Sequence, residues 1–171
     1  TASPGPVLHR RRPGPCTGAE DMRLHYSALH LEPSPFWADG VGAFFCGTYS
    51  GTPIIVRTFS FYCNSVTIRA LEKKCRDFNH KVRVHPHLVR LLGIASRAHQ
   101  VYIVYERPAN LRLIQPSQLS TKQAMTALWG LAEALHAFEK LSFMCALMQP
   151  CSVLAAESQV VLVDYIVPDN D

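Results

Sequence analysis

The sequence predicts an α+β chain of two lobes: a five-stranded antiparallel sheet with one helix, then a smaller helical lobe. Three observations predict it. Two β-rich segments are joined by Ser50-Gly51-Thr52, which is a hairpin signature. A second β pair turns near Arg97-Ala98-His99. Behind Ser120 a long stretch repeats apolar residues at helical spacing.

Residues 1–20 are rich in Pro, Gly and Arg and show no hydrophobic periodicity, so a disordered basic leader is expected. Its run His9-Arg10-Arg11-Arg12 reads as a solvated tail. Organised sequence begins near Met22. The hairpin strands are Ala43 to Tyr49 and Pro53 to Phe59. Residues 65–82 carry the charge of a surface helix. The second pair is Leu88 to Ala95 and Val101 to Glu106. Within it Val101-Tyr102-Ile103-Val104-Tyr105 is apolar throughout, as in a strand covered on both faces. The first lobe therefore spans residues 21–107 and the second residues 108–171.

The second lobe opens on a helix from Thr121 to Leu141. Ser120 and Gln123 fit a capping box at its start. Met125, Leu128, Leu131, Ala132, Leu135 and Phe138 make one apolar stripe, expected to pack into a core. Two short β segments follow, Val153-Leu154 and Val160 to Val163.

The chain has 171 residues, 48% hydrophobic and 18% charged, enough to bury a core. Its net charge of +4 sits largely in the leader, and no aromatic stripe alternates with Lys/Arg, which argues against nucleic acid. No apolar run reaches the roughly 18 residues of a membrane span. The six cysteines form no CxxC pair and no zinc-like spacing. Free thiols in a reducing, cytoplasmic setting are expected.

Several segments, taken in order, resemble a protein kinase. His85-Pro-His-Leu-Val-Arg-Leu-Leu-Gly93 looks like the stretch linking helix C to the fourth strand of tyrosine and tyrosine-like kinases. Val101 to Glu106 is similar to the fifth strand entering the hinge. Ala132-Glu-Ala-Leu-His136 resembles the long helix before the catalytic loop. Val160-Val-Leu-Val-Asp-Tyr165 resembles the strand entering the DFG motif. The resemblance covers roughly Met22 to Val167 and implies a kinase-like fold whose helical C-lobe breaks off at the DFG position.

Kinase chemistry needs a glycine-rich loop over the phosphates, a strand lysine, a catalytic aspartate and metal-holding groups. On Phe36 to Gly47 the gap-free match puts Trp37, Asp39 and Gly42 in the three glycine places; another register uses Gly40 and Gly42. Asp39 is expected to repel a triphosphate. Arg57 stands in the lysine place and differs from lysine in length, fork geometry and hydration. Its helix C partner falls near Arg76 or Asp77, with Asp77 or Glu72 as acidic alternatives. Tyr105 takes the gatekeeper place before Glu106.

Phe143 to Leu154 aligns with the tyrosine-kinase catalytic loop and places Cys145, Ala146 and Leu147 at its His, Arg and Asp positions. Leucine cannot accept a proton from a substrate hydroxyl. Ser152 takes the place of the metal-binding Asn, and Asp164 keeps the DFG aspartate. The resemblance thus assigns cofactor contacts to Gly42, Arg57, Glu106 and Asp164, and metal contacts to Asp164 and Ser152. It implies a catalytically inactive pseudokinase that binds another protein, such as an active kinase or a receptor, and needs no cofactor. The alternatives are a weak kinase or ATP/Mg-dependent switch using Arg57 and Asp164, and a non-functional fragment. Without the further helices that cover this helix in the family, the 125–138 stripe is expected to lie partly bare and to mark an interface or an aggregation hazard.

Overall fold

Turn chemistry sets the register of the sheet. The computed structural model describes residues 22–82, 85–108 and 119–140, with the backbone of short strands at 111–112, 153–156 and 160–162. Strand β1 is Leu29–Leu31, β2 is Trp37–Ala38, β3 is Gly42–Tyr49 and β4 is Thr52–Phe59. Ser50 and Gly51 both take positive φ, 47° and 82°. Such a two-residue turn matches the twist of the strands it joins. It sets Tyr49 opposite Thr52, and therefore Phe44 opposite Arg57. The expected hairpin is present.

A second two-residue turn joins β5 (Leu91–Arg97) to β6 (Gln100–Glu106). Its residues Ala98 and His99 sit at φ 46° and 69°. Neither is glycine, so each costs on the order of 1 kcal/mol. The His99 carbonyl accepts the Cys63 N–H at 2.9 Å and so anchors the approach to the first helix.

The sheet runs β1-β3-β4-β6-β5, antiparallel throughout, and β2 also pairs with β3. The expected five rows thus hold six strands, because the first row is split in two. Pro33 and Pro35 lie in the split, where neither can donate to a ladder. Beyond β5, Ile94 N–H donates to the Met22 carbonyl and Leu24 N–H to the Ile94 carbonyl, each at 2.7 Å. A Cβ on Gly93 would strike the Met22 carbonyl, and its φ is 154°, so glycine is required there. The β5 ladder starts at Leu91 rather than Leu88; Leu88 and Val89 are buried ahead of it.

Both faces of the sheet are covered. Ile54, Val56, Tyr102 and Val104 pack on one face with Leu29 and Ala95. Ile55, Phe59, Ile103 and Tyr105 pack on the other with Phe44 and Leu91. That alternation is why residues 101–105 are apolar throughout.

Helix α1 (Ser65–Lys81) lies between β4 and β5. The Asn64 side chain accepts the Val66 and Thr67 N–H groups, a cap worth about 1 kcal/mol. Leu71, Cys75 and Phe78 share one face at helical spacing and are buried in the sheet-side core.

β7 (Leu111–Arg112), β8 (Val153–Ala156) and β9 (Val160–Leu162) form a second small sheet. Helix α2 spans Thr121–Lys140. Its capping box is as expected: Gln123 Oε1 accepts the Ser120 N–H at 2.9 Å, and Ser120 Oγ accepts the Gln123 N–H at 3.3 Å.

The expected core packing of α2 holds for Leu131, Leu135 and Phe138 but not for Met125, Leu128 and Ala132. Its buried residues are Gly130, Ala134 and Phe138, while Met125 and Leu128 are more than 60% exposed. Small residues win the inner face because they let the helix approach closely. A Cβ on Gly130 would press on the His87 ring, and His87 Nε2 lies 3.1 Å from Glu133 Oε2. One turn beyond Ala134, Phe138 reaches Phe78 of α1, with ring centroids 5.6 Å apart. The stripe at 125, 128 and 132 points away from that contact, and Trp129 is exposed beside it. Among the described residues, no helix is long and apolar enough to cross a membrane.

The expected leader, residues 1–20, lies outside the described residues, as do Cys145, Ala146, Leu147, Ser152 and Asp164.

Candidate functional site

Arg57 is the buried charged residue around which the site forms. It sits on β4 between Phe44 of β3 and Ile103 of β6, with 2% of its surface exposed. Its guanidinium carbon lies 4.7 Å from the Phe44 ring centroid and 5.6 Å from that of Phe59. Such faces attract a cation that has lost its water. Phe36 stacks on Phe44 at 5.8 Å, closing the aromatic wall.

The charge partner comes from the turn between β2 and β3. Arg57 Nη2 lies 3.3 Å from Asp39 Oδ2 and 3.5 Å from Oδ1. Asp39 Oδ1 also accepts the Val41 and Gly42 N–H groups, each at 2.8 Å. The Asp39 N–H donates to the Gly42 carbonyl at 2.9 Å. Ser60 then pins the turn onto the sheet: its hydroxyl donates to the Gly40 and Val41 carbonyls at 3.0 Å, and its N–H to Val41 at 2.8 Å. Gly42 is needed because a Cβ there would collide with the Thr58 carbonyl.

Burial alone would raise the Asp39 carboxyl pKa. The Gly42 and Val41 N–H bonds and the Arg57 charge outweigh it and hold the pKa below the usual value.

The sequence-predicted residues are placed unevenly. Gly42 and Arg57 come together, bridged by Asp39. Glu106 lies on β6 opposite Ile54, three residues along β4 from Arg57, and its carboxylate is 3.8 Å from Arg90. Tyr105, in the gatekeeper place, is fully buried in the core cluster that holds Phe44. Neither acid suggested for helix C has an observed ion pair with Arg57. Glu72 pairs with Arg23 at 3.5 Å, while Arg76 and Asp77 are exposed. The expectation that Asp39 merely repels phosphate missed its pairing with Arg57. The Ser50-Gly51 turn carried part of the signal, since it sets Phe44 opposite Arg57; the β2–β3 pairing that adds Trp37 had none.

Other chemistry is muted among the described residues. No group of three or more His, Cys, Asp or Glu residues gathers as metal ligands. Cys46, Cys63 and Cys75 are free thiols, as expected. Burial raises the pKa of each, that of Cys75 to about 12, so none is an activated nucleophile. No family model matches the chain, and no curated protein is significantly similar to it.

Proposed function

We propose that the chain is a catalytically inactive, kinase-like module of the cytoplasm that acts by binding another protein, such as an active kinase or a receptor. One observation carries this reading. The only charged side chain buried in the described core, Arg57, is held by a carboxylate of the loop that a kinase would close over phosphate. The helix between the Arg57 strand and β5 agrees with the order of segments that suggested the resemblance. Leu147 in the aspartate place removes the proton acceptor that phosphoryl transfer to a hydroxyl uses.

The second reading, a switch that binds ATP and Mg²⁺ through Arg57 and Asp164, requires Arg57 to exchange Asp39 for phosphate. A thermal-shift titration with millimolar ATP and Mg²⁺ separates the two. A ligand at a hundred times its Kd would stabilise the fold by about 2.7 kcal/mol. The inactive reading expects no shift and no transfer of the γ-phosphate. A shift abolished by Asp164→Asn would overturn it in favour of the switch.

A further inference from the structure

We propose that helix α2 is the contact between two copies of this chain, which pair antiparallel along its outer face. The inference does not depend on the kinase-like reading. Gly130, Ala134 and Phe138 of α2 are buried. On the opposite side lie Lys122, Met125, Trp129, Ala132, His136 and Glu139, all six exposed. Their spacing alternates three and four residues without a break, which is the seam of a two-stranded coil. The seam is about 25 Å long. Met125 and Trp129 are 64% and 69% exposed, and Leu128, 62% exposed, flanks them. Apolar side chains bared together and rimmed by charge mark an interaction surface.

The seam is complementary to its own reverse. A two-fold axis crossing the helix between Gly130 and Leu131 sets Lys122 of each copy opposite Glu139 of the other, Met125 opposite His136, and Trp129 opposite Ala132. Opposite charges then meet at both ends, and each large ring enters the space over a small residue. Glu139 has His136 beside it in its own helix at 3.4 Å, yet its side chain is 82% exposed and open to a lysine from the second copy. In a parallel pair each residue would face its own counterpart. Lys122 would then repel Lys122, Glu139 would repel Glu139, and Ala132 on Ala132 would leave a gap. The face therefore selects a second copy in the antiparallel sense. One helix pair is a small interface, so the dimer is weak, with a Kd on the order of 10 µM.

The test is sedimentation equilibrium of the full chain, with reductant, over a concentration series spanning that Kd. The expected result is a monomer–dimer equilibrium. Lys122→Glu or Glu139→Lys alone sets like charges together at both ends and should weaken the dimer about tenfold. Mixed in equal amounts, the two variants should associate again, because one then carries glutamate at both ends and the other lysine. Both changes suit the helix dipole, so the fold is kept. Trp129→Glu, at an exposed position, should abolish the dimer while circular dichroism shows the helix intact. Should Trp129→Glu not fold, the two charge variants carry the comparison. A wild type that stays monomeric overturns the proposal and leaves the face to a different protein. Open-ended aggregation without a dimer overturns it too, and makes the face a hazard rather than an interface. A dimer indifferent to Trp129→Glu, or charge variants that do not associate on mixing, overturn the antiparallel seam.

Discussion

Replacing Asp39 by alanine is expected to lower stability by about 3 kcal/mol, while replacing Arg57 by methionine costs about 1 kcal/mol. The asymmetry follows from burial. Asp39→Ala removes the carboxylate beside a guanidinium that lies within the core and also strips the turn of its side-chain acceptor. Arg57→Met removes the buried cation and leaves an apolar chain between Phe44 and Phe59. The remaining Asp39 keeps both turn bonds and partial access to water. In the double variant the buried Arg57 cation is gone, so the cost of losing the carboxylate shrinks toward that of the turn bonds. Urea unfolding of the four proteins should give a coupling of about 1–2 kcal/mol. Strict additivity would mean that the two side chains touch without acting on each other.

The second large effect is expected at Phe78. Phe78→Ala should cost about 3–5 kcal/mol through the cavity it leaves. Phe78 belongs to the buried face of α1, and its ring meets Phe138 of α2. Loss of the ring contact adds about 1 kcal/mol and loosens the tie between the helices. Hydrogen exchange should therefore quicken in α2 around Ala134 to Phe138 more than in β3 and β4. Uniform quickening across the sheet would show that Phe78 supports the first lobe alone.

The hairpins and the start of α2 were legible in the sequence because their signals are local. Ser50-Gly51 dictates a tight turn, Ser120 with Gln123 dictates a cap, and the unbroken apolar run at 101–105 dictates a strand covered twice. The short strands β1 and β2 gave no such signal, since prolines interrupt their row and their pairing is set by β3. On α2, Leu131, Leu135 and Phe138 pack on the core as the stripe suggested, but its first residues misled for a physical reason. Size and hydropathy favour Met125 and Leu128 as core residues, but close packing against His87 favours glycine and alanine.

The site was half legible. Arg57 and Gly42 were readable as individual residues, and Asp39 as a charge in the wrong place. Their union was not, because it depends on which residues lie abreast across three strands. The register from the Ser50-Gly51 turn brings Phe44 beside Arg57, and the β2–β3 pairing then brings the Asp39 turn over both. A single strand read alone contains neither step.

The Asp39–Arg57 ion pair is the central claim, and the most direct test is to titrate the Asp39 carboxyl carbon by NMR in wild type and in Arg57→Met. A carboxylate with a lowered native pKa stabilises the fold above the unfolded value of about 3.9. That contribution is lost as the pH falls through the native value. The predicted result is a wild-type midpoint below the ordinary value, moving upward in Arg57→Met while the turn bonds to Val41 and Gly42 persist. A wild-type midpoint at or above the ordinary value, unchanged by Arg57→Met, would contradict the account.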